Sequence, residues 1–257
     1  MAFDINAIRN KLAKLQGKQT GTSYWRPQEG ADSTVRLLSF KTDDGLPFKE
    51  FHFYYNIGKN RGILAPYQFG KPDPIQELIT KLRADGSDES KELCKKLYPK
   101  MRVYAPVVVR GEEEKGVQIW GFGKTVYSEL YTMLADEDVG DITDPYTGRD
   151  ITVSSIKTAG RQWATTSVRP KMKQSQLSSD EKQMKEWIDS VPETDTLFEL
   201  QSYDEITKIV NDWLNGDDTS SDGTSRNFSS SSDSTETSSS SEGSTYKSLD
   251  DAFSSLT

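Results

Sequence analysis

Cations interleaved with aromatic rings are the side chains of this sequence whose types and spacing point to chemistry. Lys and Arg alternate with Tyr, Trp and Phe over residues 95–127, and a second basic stretch containing Trp163 covers residues 157–173. Single-stranded nucleic acid needs both groups, because cations follow the phosphates while flat rings stack on bases of any sequence. The pattern therefore predicts a surface for single-stranded nucleic acid.

Among the aromatic residues, Tyr104, Trp120 and Trp163 are expected at the surface, since each lies beside basic residues or glycine. Phe51, Phe53 and Phe122 are expected in the core, where strand aromatics commonly lie. The full set of candidate DNA contacts is Arg36, Lys100, Arg102, Tyr104, Arg110, Trp120, Lys124, Tyr146, Arg161 and Trp163.

The sequence offers little for catalysis, and we expect no enzyme. Its one histidine, His52, excludes any triad that needs a second imidazole, and residues 121–124 lack the spacing of a phosphate-binding loop. A carboxylate-only, metal-dependent nuclease stays open. His52 is interpreted as an ordinary strand residue and Cys94 as a small buried hydrophobe.

Composition separates a nearly neutral part of the chain from an acidic tail. Of the 257 residues, 33% are apolar and 28% are charged. Residues 216–257 hold 22 Ser or Thr and eight acids against two bases, a net charge of −6, which leaves −2 of the chain's −8 for residues 1–215. The tail has too few apolar side chains to offset ordering entropy, so we expect it to be disordered.

The single cysteine and the lack of long apolar runs indicate the compartment. Cys94 alone excludes an intramolecular disulfide, and no apolar run approaches the ~18 residues of a membrane span. We expect an intracellular protein without membrane contact.

The N-terminal segment, residues 4–18, is predicted to form a short basic amphipathic helix. A hinge at residues 17–21 follows it. The helix either packs on its own domain or docks on a neighbouring molecule. Its apolar face is Ile5, Ile8, Leu12 and Leu15, and its basic side chains are Arg9, Lys11, Lys14 and Lys18.

Hydrophobic periodicity over the rest of the chain predicts an α+β fold with an OB-fold-like small β-barrel core, inserted helices and flanking helices. Alternation predicts strands near residues 34–39, 51–55, 102–110, 117–122 and 151–157. Helices are predicted near 74–85, 87–98, 124–135, 180–190 and 202–215. We expect three parts: a basic arm at 1–20, a core at 21–215 with a helical insertion at about 73–98, and the acidic tail at 216–257.

This arrangement resembles the single-stranded DNA-binding (helix-destabilising) proteins of T-even-type bacteriophages. The resemblance runs, with gaps, from Asn10 to the C-terminus. The segments that carry it are 33–38 (STVRLL), 46–48 (LPF), 103–109 (VYAPVVV), 120–124 (WGFGK), 141–148 (DITDPYTG) and the Ser/Asp-rich tail ending in 249–256 (LDDAFSSL).

The resemblance implies an OB-fold core that binds single-stranded DNA cooperatively in replication, recombination and repair, in the cytoplasm of an infected bacterial host. Tyr104 stands where the family has a Trp, Trp120 where it has a Tyr, and Trp163 near another cleft aromatic. The resemblance assigns self-association along DNA to the N-terminal region, with Arg9, Lys11 and Lys14 as candidates. It also implies that the acidic tail recruits phage replication and recombination proteins, with Leu249, Asp250, Asp251, Phe253 and Leu256 as candidates.

One family property is not expected here. The resemblance implies a zinc ion held by one His and three Cys, and His52 stands near the His position, but residues 65–76 contain no thiol. Cys94 lies too far along the chain to replace them. We therefore expect no metal cofactor, and an insertion stabilised by the apolar stripes of Ile75, Leu78 and Leu82 and of Leu93 and Leu97.

The sequence thus favours a protein that coats single-stranded DNA. A second interpretation is an OB-fold recombination mediator or adaptor whose main ligand is protein, with the basic strands serving only structure. The nuclease is a third.

Overall fold

A computed structural model describes residues 23–42, 45–58, 62–160 and 164–215. Within these ranges the chain forms strands and α-helices in a mixed order, which confirms the α+β class. The strands are β1 (Tyr24–Trp25), β2 (Asp32–Leu37), β3 (Lys49–Tyr54), β4 (Ile63–Leu64), β5 (Lys100–Val109), β6 (Val117–Phe122), β7 (Arg149–Ile156) and β8 (Thr165–Gln174). The helices are α1 (Pro74–Asp85), α2 (Asp88–Leu97), α3 (Lys124–Leu134), α4 (Glu181–Ser190) and α5 (Tyr203–Leu214).

The described residues fall into two compact units. Of the described residues, those within 23–51 and 101–198 form the first unit, and those within 52–100 and 199–215 form the second. The expected helical insertion, α1 and α2, lies in the second unit together with α5.

The sheet of the first unit is built around the predicted β5–β6 hairpin. Its strands follow the order β1-β6-β5-β2-β7-β8. β1 is parallel to β6, whereas the pairs β6–β5, β5–β2, β2–β7 and β7–β8 are antiparallel. Within the described ranges β1 and β8 remain the two ends of the path, so the strands do not close into the expected barrel. In the second unit, Phe53 and Tyr54 of β3 pair antiparallel with Leu64 and Ile63 of β4.

Strand β8 is a feature that the alternation did not predict. Its sequence carries Pro170 and several cations, which weaken a strand signal. Pro170 stands opposite Ile151 next to a register shift, and β8 pairs only with β7 in the described sheet. A proline is tolerated there because the outer side of an edge strand needs no ladder hydrogen bond.

The core of the first unit contains Phe122, as expected, together with the apolar residues of β2, β5 and β7. Val35, Val107 and Ile151 are fully buried on three neighbouring strands. Phe51 and Phe53 are also buried, as expected. The core helix α3 contributes Val126 and Leu130 to the same cluster.

The second unit is organised by local helix signals that the sequence shows directly. Asp73 caps α1 through hydrogen bonds from the backbone N–H groups of Ile75 and Gln76, with Pro74 as the first helical residue. Its other carboxylate oxygen accepts a hydrogen bond from the Tyr54 hydroxyl at 2.8 Å. Burial, and then the nearby Asp73, raise the pKa of Tyr54.

The apolar stripes expected in the insertion pack together in this unit. Ile75, Leu78 and Leu82 of α1 join Leu97 and Cys94 of α2 in one buried cluster. The predicted capping box of α5 is also confirmed, since Ser202 and Glu205 hydrogen-bond reciprocally. In the part of the chain that the structure describes, no helix has both the length and the apolar character that crossing a membrane requires.

Candidate nucleic-acid interface

The candidate site is built on one face of the β5–β6 hairpin in the first unit. Successive side chains of a strand point to opposite faces. Val103 and Ala105 are completely buried, whereas Arg102 and Tyr104 are partly exposed. Tyr104 stands opposite Gly121 of β6. Arg102 and Tyr104 therefore share the face of β5 that the core does not cover.

An aromatic cluster surrounds Tyr104. Its ring centroid lies 4.8 Å from that of Phe198, 5.9 Å from that of Phe51 and 6.5 Å from that of Tyr24. Phe51 forms the buried base of the cluster, whereas Tyr24 keeps 47% of its surface exposed. The Tyr24 hydroxyl donates a hydrogen bond to the Leu197 carbonyl oxygen at 2.9 Å, and burial raises the pKa of Tyr24. This hydrogen bond holds the exposed Tyr24 ring at the cluster.

Gly121 makes room for this cluster. A β-carbon at position 121 would lie 2.7 Å from Cε1 of Tyr104, closer than carbon atoms can approach. The Tyr104 ring therefore lies over Gly121 at a position where any β-carbon would displace it.

Two cations lie close to Tyr104 by strand register, since Arg102 precedes it by two residues on β5 and Lys124 follows its partner Gly121 by three. The Nη1 atom of Arg102 lies 3.8 Å from the place where a β-carbon on Gly123 would stand, and Lys124 is the exposed first residue of α3. Neither side chain forms an ion pair with another residue of the described ranges. We call the set Tyr24, Arg102, Tyr104, Lys124 and Phe198 the Tyr104 face.

The expectation that Trp120 lies at the surface is wrong. Trp120 is 1% exposed and packs edge-to-face against Trp25 in the core of the first unit. The physical reason is alternation, because Trp120 stands two residues before the core residue Phe122 and opposite the buried Ala105. A ring in this position cannot stack on a base, so Trp120 is removed from the candidate contacts.

Arg36 is likewise unavailable as a DNA contact. It is completely buried, and its Nε donates to Asp150 at 2.9 Å. Its other nitrogens donate to the Asp144 carbonyl oxygen and to Ser175. The missed signal is the acid at position 150, which becomes a partner of Arg36 only when β2 and β7 pair.

Arg110 shares this carboxylate. Its Nη2 and Nε lie 3.0 and 3.2 Å from the two oxygens of Asp150, and it also donates to the carbonyl oxygens of Gln176 and Leu177. Desolvation lowers the pKa of Arg36 most, while Asp150 opposes that effect. Arg36, Arg110 and Asp150 form a structural clamp, so the expected DNA contact by Arg110 would have to compete with these bonds.

Comparison with known proteins bears on what this face does. A family model described as gp32 DNA binding protein like matches residues 29–212. The chain belongs to this family. A search of curated proteins found no match.

Membership of the gp32-like family confirms the resemblance seen in the sequence and identifies DNA as the ligand class. The matched region includes Arg102, Tyr104, Lys124 and Phe198 of the Tyr104 face. It excludes Tyr24, residues 1–22 and the acidic tail. The roles of the N-terminal arm and of the tail therefore stay predictions.

Tyr146 and Lys100 are accessible, but neither forms a ring contact or a hydrogen bond with the residues of the Tyr104 face in the described ranges. Tyr146 is 55% exposed on a turn in which Asp144 accepts hydrogen bonds from the backbone N–H groups of Thr147 and Tyr146. These two bonds, the one from Thr147 first, lower the pKa of Asp144. Gly148 closes the turn, since a β-carbon there would lie 2.4 Å from the Asp144 carbonyl oxygen. Lys100 is exposed at the start of β5 and belongs to the second unit.

The remaining candidates lie outside the described residues. They are Arg161 and Trp163, which precede β8 in the sequence, Arg9, Lys11 and Lys14 near the N-terminus, and Leu249, Asp250, Asp251, Phe253 and Leu256 near the C-terminus.

The residues present in this gp32-like chain do not fit the zinc ion that the resemblance implies. His52 lies on β3 near the ring of Tyr67, at 5.9 Å between centroids. The Cys94 thiol is buried and hydrogen-bonds to the Ile79 carbonyl oxygen at 3.7 Å, and burial raises the pKa of Cys94. Across the ranges that the structure covers, no cluster of three or more His, Cys, Asp or Glu could hold a metal ion.

Proposed function

We propose that this gp32-like protein binds single-stranded DNA without sequence preference through the Tyr104 face. The observation that carries this proposal is the cluster of partly exposed rings beside Arg102 and Lys124, two cations without an ion-pair partner in the described chain. Bases can stack on the rings while the cations approach the phosphates. In this proposal Arg36 and Trp120 do not touch DNA, because both side chains are buried.

Titration of the full chain with fluorescently labelled oligo(dT), with and without Mg²⁺, tests the proposal. We expect saturable binding, intact DNA after incubation, and weaker binding to a duplex of the same length. Tyr104→Ala should lower the affinity about fivefold to a hundredfold, the range of one stacked base. No binding would favour the protein-binding adaptor, and shortened DNA would favour the nuclease.

Lys115→Gln is the matched control for Arg102→Gln, since each variant removes one positive charge from the β5–β6 hairpin. Lys115 lies at the tip of the β5–β6 hairpin and pairs with Glu112 at 2.8 Å. Arg102 is at the other end of the same hairpin, about 20 Å away at the rise of a β-strand. Equal losses of oligo(dT) affinity in Lys115→Gln and Arg102→Gln would show that DNA binding depends on overall charge and not on a defined site.

We further propose that the protein coats transient single strands during phage replication, recombination and repair in the cytoplasm of an infected bacterium, without catalysis. Cooperative coating requires contacts between copies, and the basic arm at residues 1–20 is proposed to supply them. Removal of residues 1–18 should leave the affinity for a one-site oligonucleotide nearly intact and lower that for a long strand. Equal losses on both would show that the arm contacts DNA directly.

The acidic tail is proposed to compete with DNA and to recruit partner proteins. Its net charge of −6 has the sign of nucleic acid, so it is attracted by the cations that DNA needs. Phe253 and Leu256 stand beside Asp250 and Asp251 at its end, as expected of a peptide that docks on basic, grooved partners. Deletion of residues 217–257 should raise DNA affinity most at low salt and abolish binding to replication or recombination partners.

A further inference from the structure

The first unit contains an apolar groove with an acidic rim, formed by residues other than those of the Tyr104 face. The groove has a volume of about 530 Å³. Leu46 and Pro47 line one side of it, and Tyr131, Leu134 and Ala135 at the end of α3 line another. Tyr131 keeps 37% of its surface exposed. The groove therefore offers apolar contacts that the described chain leaves open to solvent.

The rim of the groove carries one sign of charge. Asp136, Glu137 and Asp141 line it, and no Lys or Arg of the described chain does. Asp136 and Asp141 accept hydrogen bonds from the nearby backbone N–H groups of Asp138 and Thr143. Within the described ranges none of the three carboxylates has an ion-pair partner.

Arg149 anchors the backbone of the loop that carries Asp136, Glu137 and Asp141. Arg149 donates hydrogen bonds to the backbone carbonyl oxygens of Val139 and Asp138, at 2.8 and 3.3 Å. Its guanidinium therefore binds the backbone of the loop and does not line the groove. An occupant of the groove meets a loop that is already ordered, which lowers the entropic cost of docking.

The chain contains a segment of matching chemistry outside the described residues. Residues 4–18 carry apolar side chains at the spacing of one helical face, at positions 5, 8, 12 and 15, together with four cations. Helices of this type bind grooves through apolar anchors at such spacings. The four cations of this segment match the three carboxylates of the rim.

We propose that the acidic groove binds the N-terminal basic segment of a neighbouring copy of this chain. The inference rests on the proposed coating of single-stranded DNA, which sets copies side by side and raises their effective concentration. It assigns the acceptor surface of the cooperative contact to Leu46, Tyr131, Leu134, Asp136, Glu137 and Asp141. Salt should weaken this contact, because exposed charge pairs are screened within about 10 Å at 0.1 M.

Charge exchange in the full-length protein tests the proposal. Glu137→Lys and Lys14→Glu should each lower the affinity for poly(dT) about threefold to tenfold relative to a one-site oligo(dT). The double variant should recover the wild-type ratio, because each interface then pairs a lysine with a glutamate again. Glu114→Lys, at the hairpin tip, makes the same charge change away from the groove and should keep the wild-type ratio.

Mixing the two single variants identifies the donor of the segment. In an equimolar mixture on poly(dT), alternating copies pair the native Lys14 with the native Glu137 at one interface. At the next interface the glutamate introduced at position 14 meets the lysine introduced at position 137, so affinity should recover if the segment comes from a neighbour. Loss in both single variants, rescue in the double variant and no rescue in the mixture would show that the segment docks on its own chain, and would overturn the proposal. An unchanged ratio in Glu137→Lys would overturn it as well.

Binding to one-site oligo(dT) keeps this test separate from the proposed function. If the wild-type protein does not bind that oligonucleotide, the DNA-binding proposal fails. If it binds normally and the variants behave alike on both lengths, only the groove proposal fails.

Discussion

The ring of Tyr104 lies across the backbone of Gly121, where a β-carbon would stand 2.7 Å from its Cε1 atom. The two residues are paired on β5 and β6, so the position of the ring follows from the register of the hairpin. Gly121 therefore determines the position along the hairpin at which an aromatic surface can form.

Gly121→Ala should therefore weaken DNA binding without removing any group that contacts DNA. The added β-carbon forces the Tyr104 ring out of its present position, and we expect oligo(dT) affinity to fall about threefold to thirtyfold, within the range of one lost stack. In a Tyr104→Ala background the same change should cost much less, since coupled residues are not additive. Fluorescence anisotropy measures all four affinities.

Gly123→Ala serves as the control for Gly121→Ala. Its β-carbon would lie 3.8 Å from Arg102 Nη1, an ordinary contact distance. Thermal unfolding of both variants checks that the fold persists. Equal affinity of Gly121→Ala and the wild type would show that the Tyr104 ring does not stack on DNA.

Arg102→Gln should change the salt dependence of binding. Each phosphate contact on a single strand contributes about 0.7 to the slope of log affinity against log salt concentration. We expect the slope of the variant to be smaller by about that amount, with unfolding unchanged because Arg102 has no ion-pair partner in the described chain. An unaltered salt slope would show that Arg102 does not contact a DNA phosphate.

Arg36→Met should show the opposite pattern. It removes one of the two arginines that pair with Asp150 and leaves the Asp144 carbonyl oxygen and Ser175 without their donor, while Arg110 still pairs with Asp150. We expect a loss of about 1–3 kcal/mol of unfolding free energy, the cost of buried groups that lose a hydrogen-bond partner. Below the unfolding transition, the salt slope of DNA binding should equal that of the wild type. Urea unfolding measures the loss of stability, and the DNA titration measures the salt slope. A reduced salt slope in the folded variant would show that Arg36 contacts DNA.

Asp73→Ala should destabilise the second unit. The variant loses the cap of α1, about 1 kcal/mol, and leaves the buried Tyr54 hydroxyl without its acceptor, about 1–3 kcal/mol more. Ser87→Ala removes the half-buried cap of α2 and a hydrogen bond to the exposed Asp85, and should cost about 1 kcal/mol. Urea unfolding followed by hydrogen exchange of α1 compares them, and equal losses would mean that the Tyr54 contact contributes nothing.

The second unit should also fold without metal. Protein purified without chelator is expected to contain far less than one zinc ion per chain by elemental analysis. Addition of EDTA should leave thermal unfolding unchanged, because the second unit is held by its apolar cluster and by Asp73. Stoichiometric zinc that survives gel filtration would contradict this prediction.

The elements that the sequence alone determined are those whose signals are local. The cap at Asp73, the proline at position 74 and the capping box at Ser202 act within one helical turn, so α1 and α5 were predicted correctly. The β5–β6 hairpin was equally visible, since alternating apolar residues flank one polar turn. The resemblance to the family was also visible without the tertiary structure, because it rested on the order of short sequence motifs.

Tertiary structure decided which of the candidate side chains can reach DNA. Trp120 and Tyr104 look alike in sequence, each an aromatic residue near cations, but the pairing of β5 with β6 places them on opposite faces. Strict alternation from Phe122 could have placed Trp120 in the core, whereas nothing local marks Arg36 as buried. Its partner Asp150 lies 114 positions away and meets it only when β2 and β7 pair. Burial and charge pairing depend on such distant contacts, and local composition therefore predicted the kind of surface without determining which residues form it.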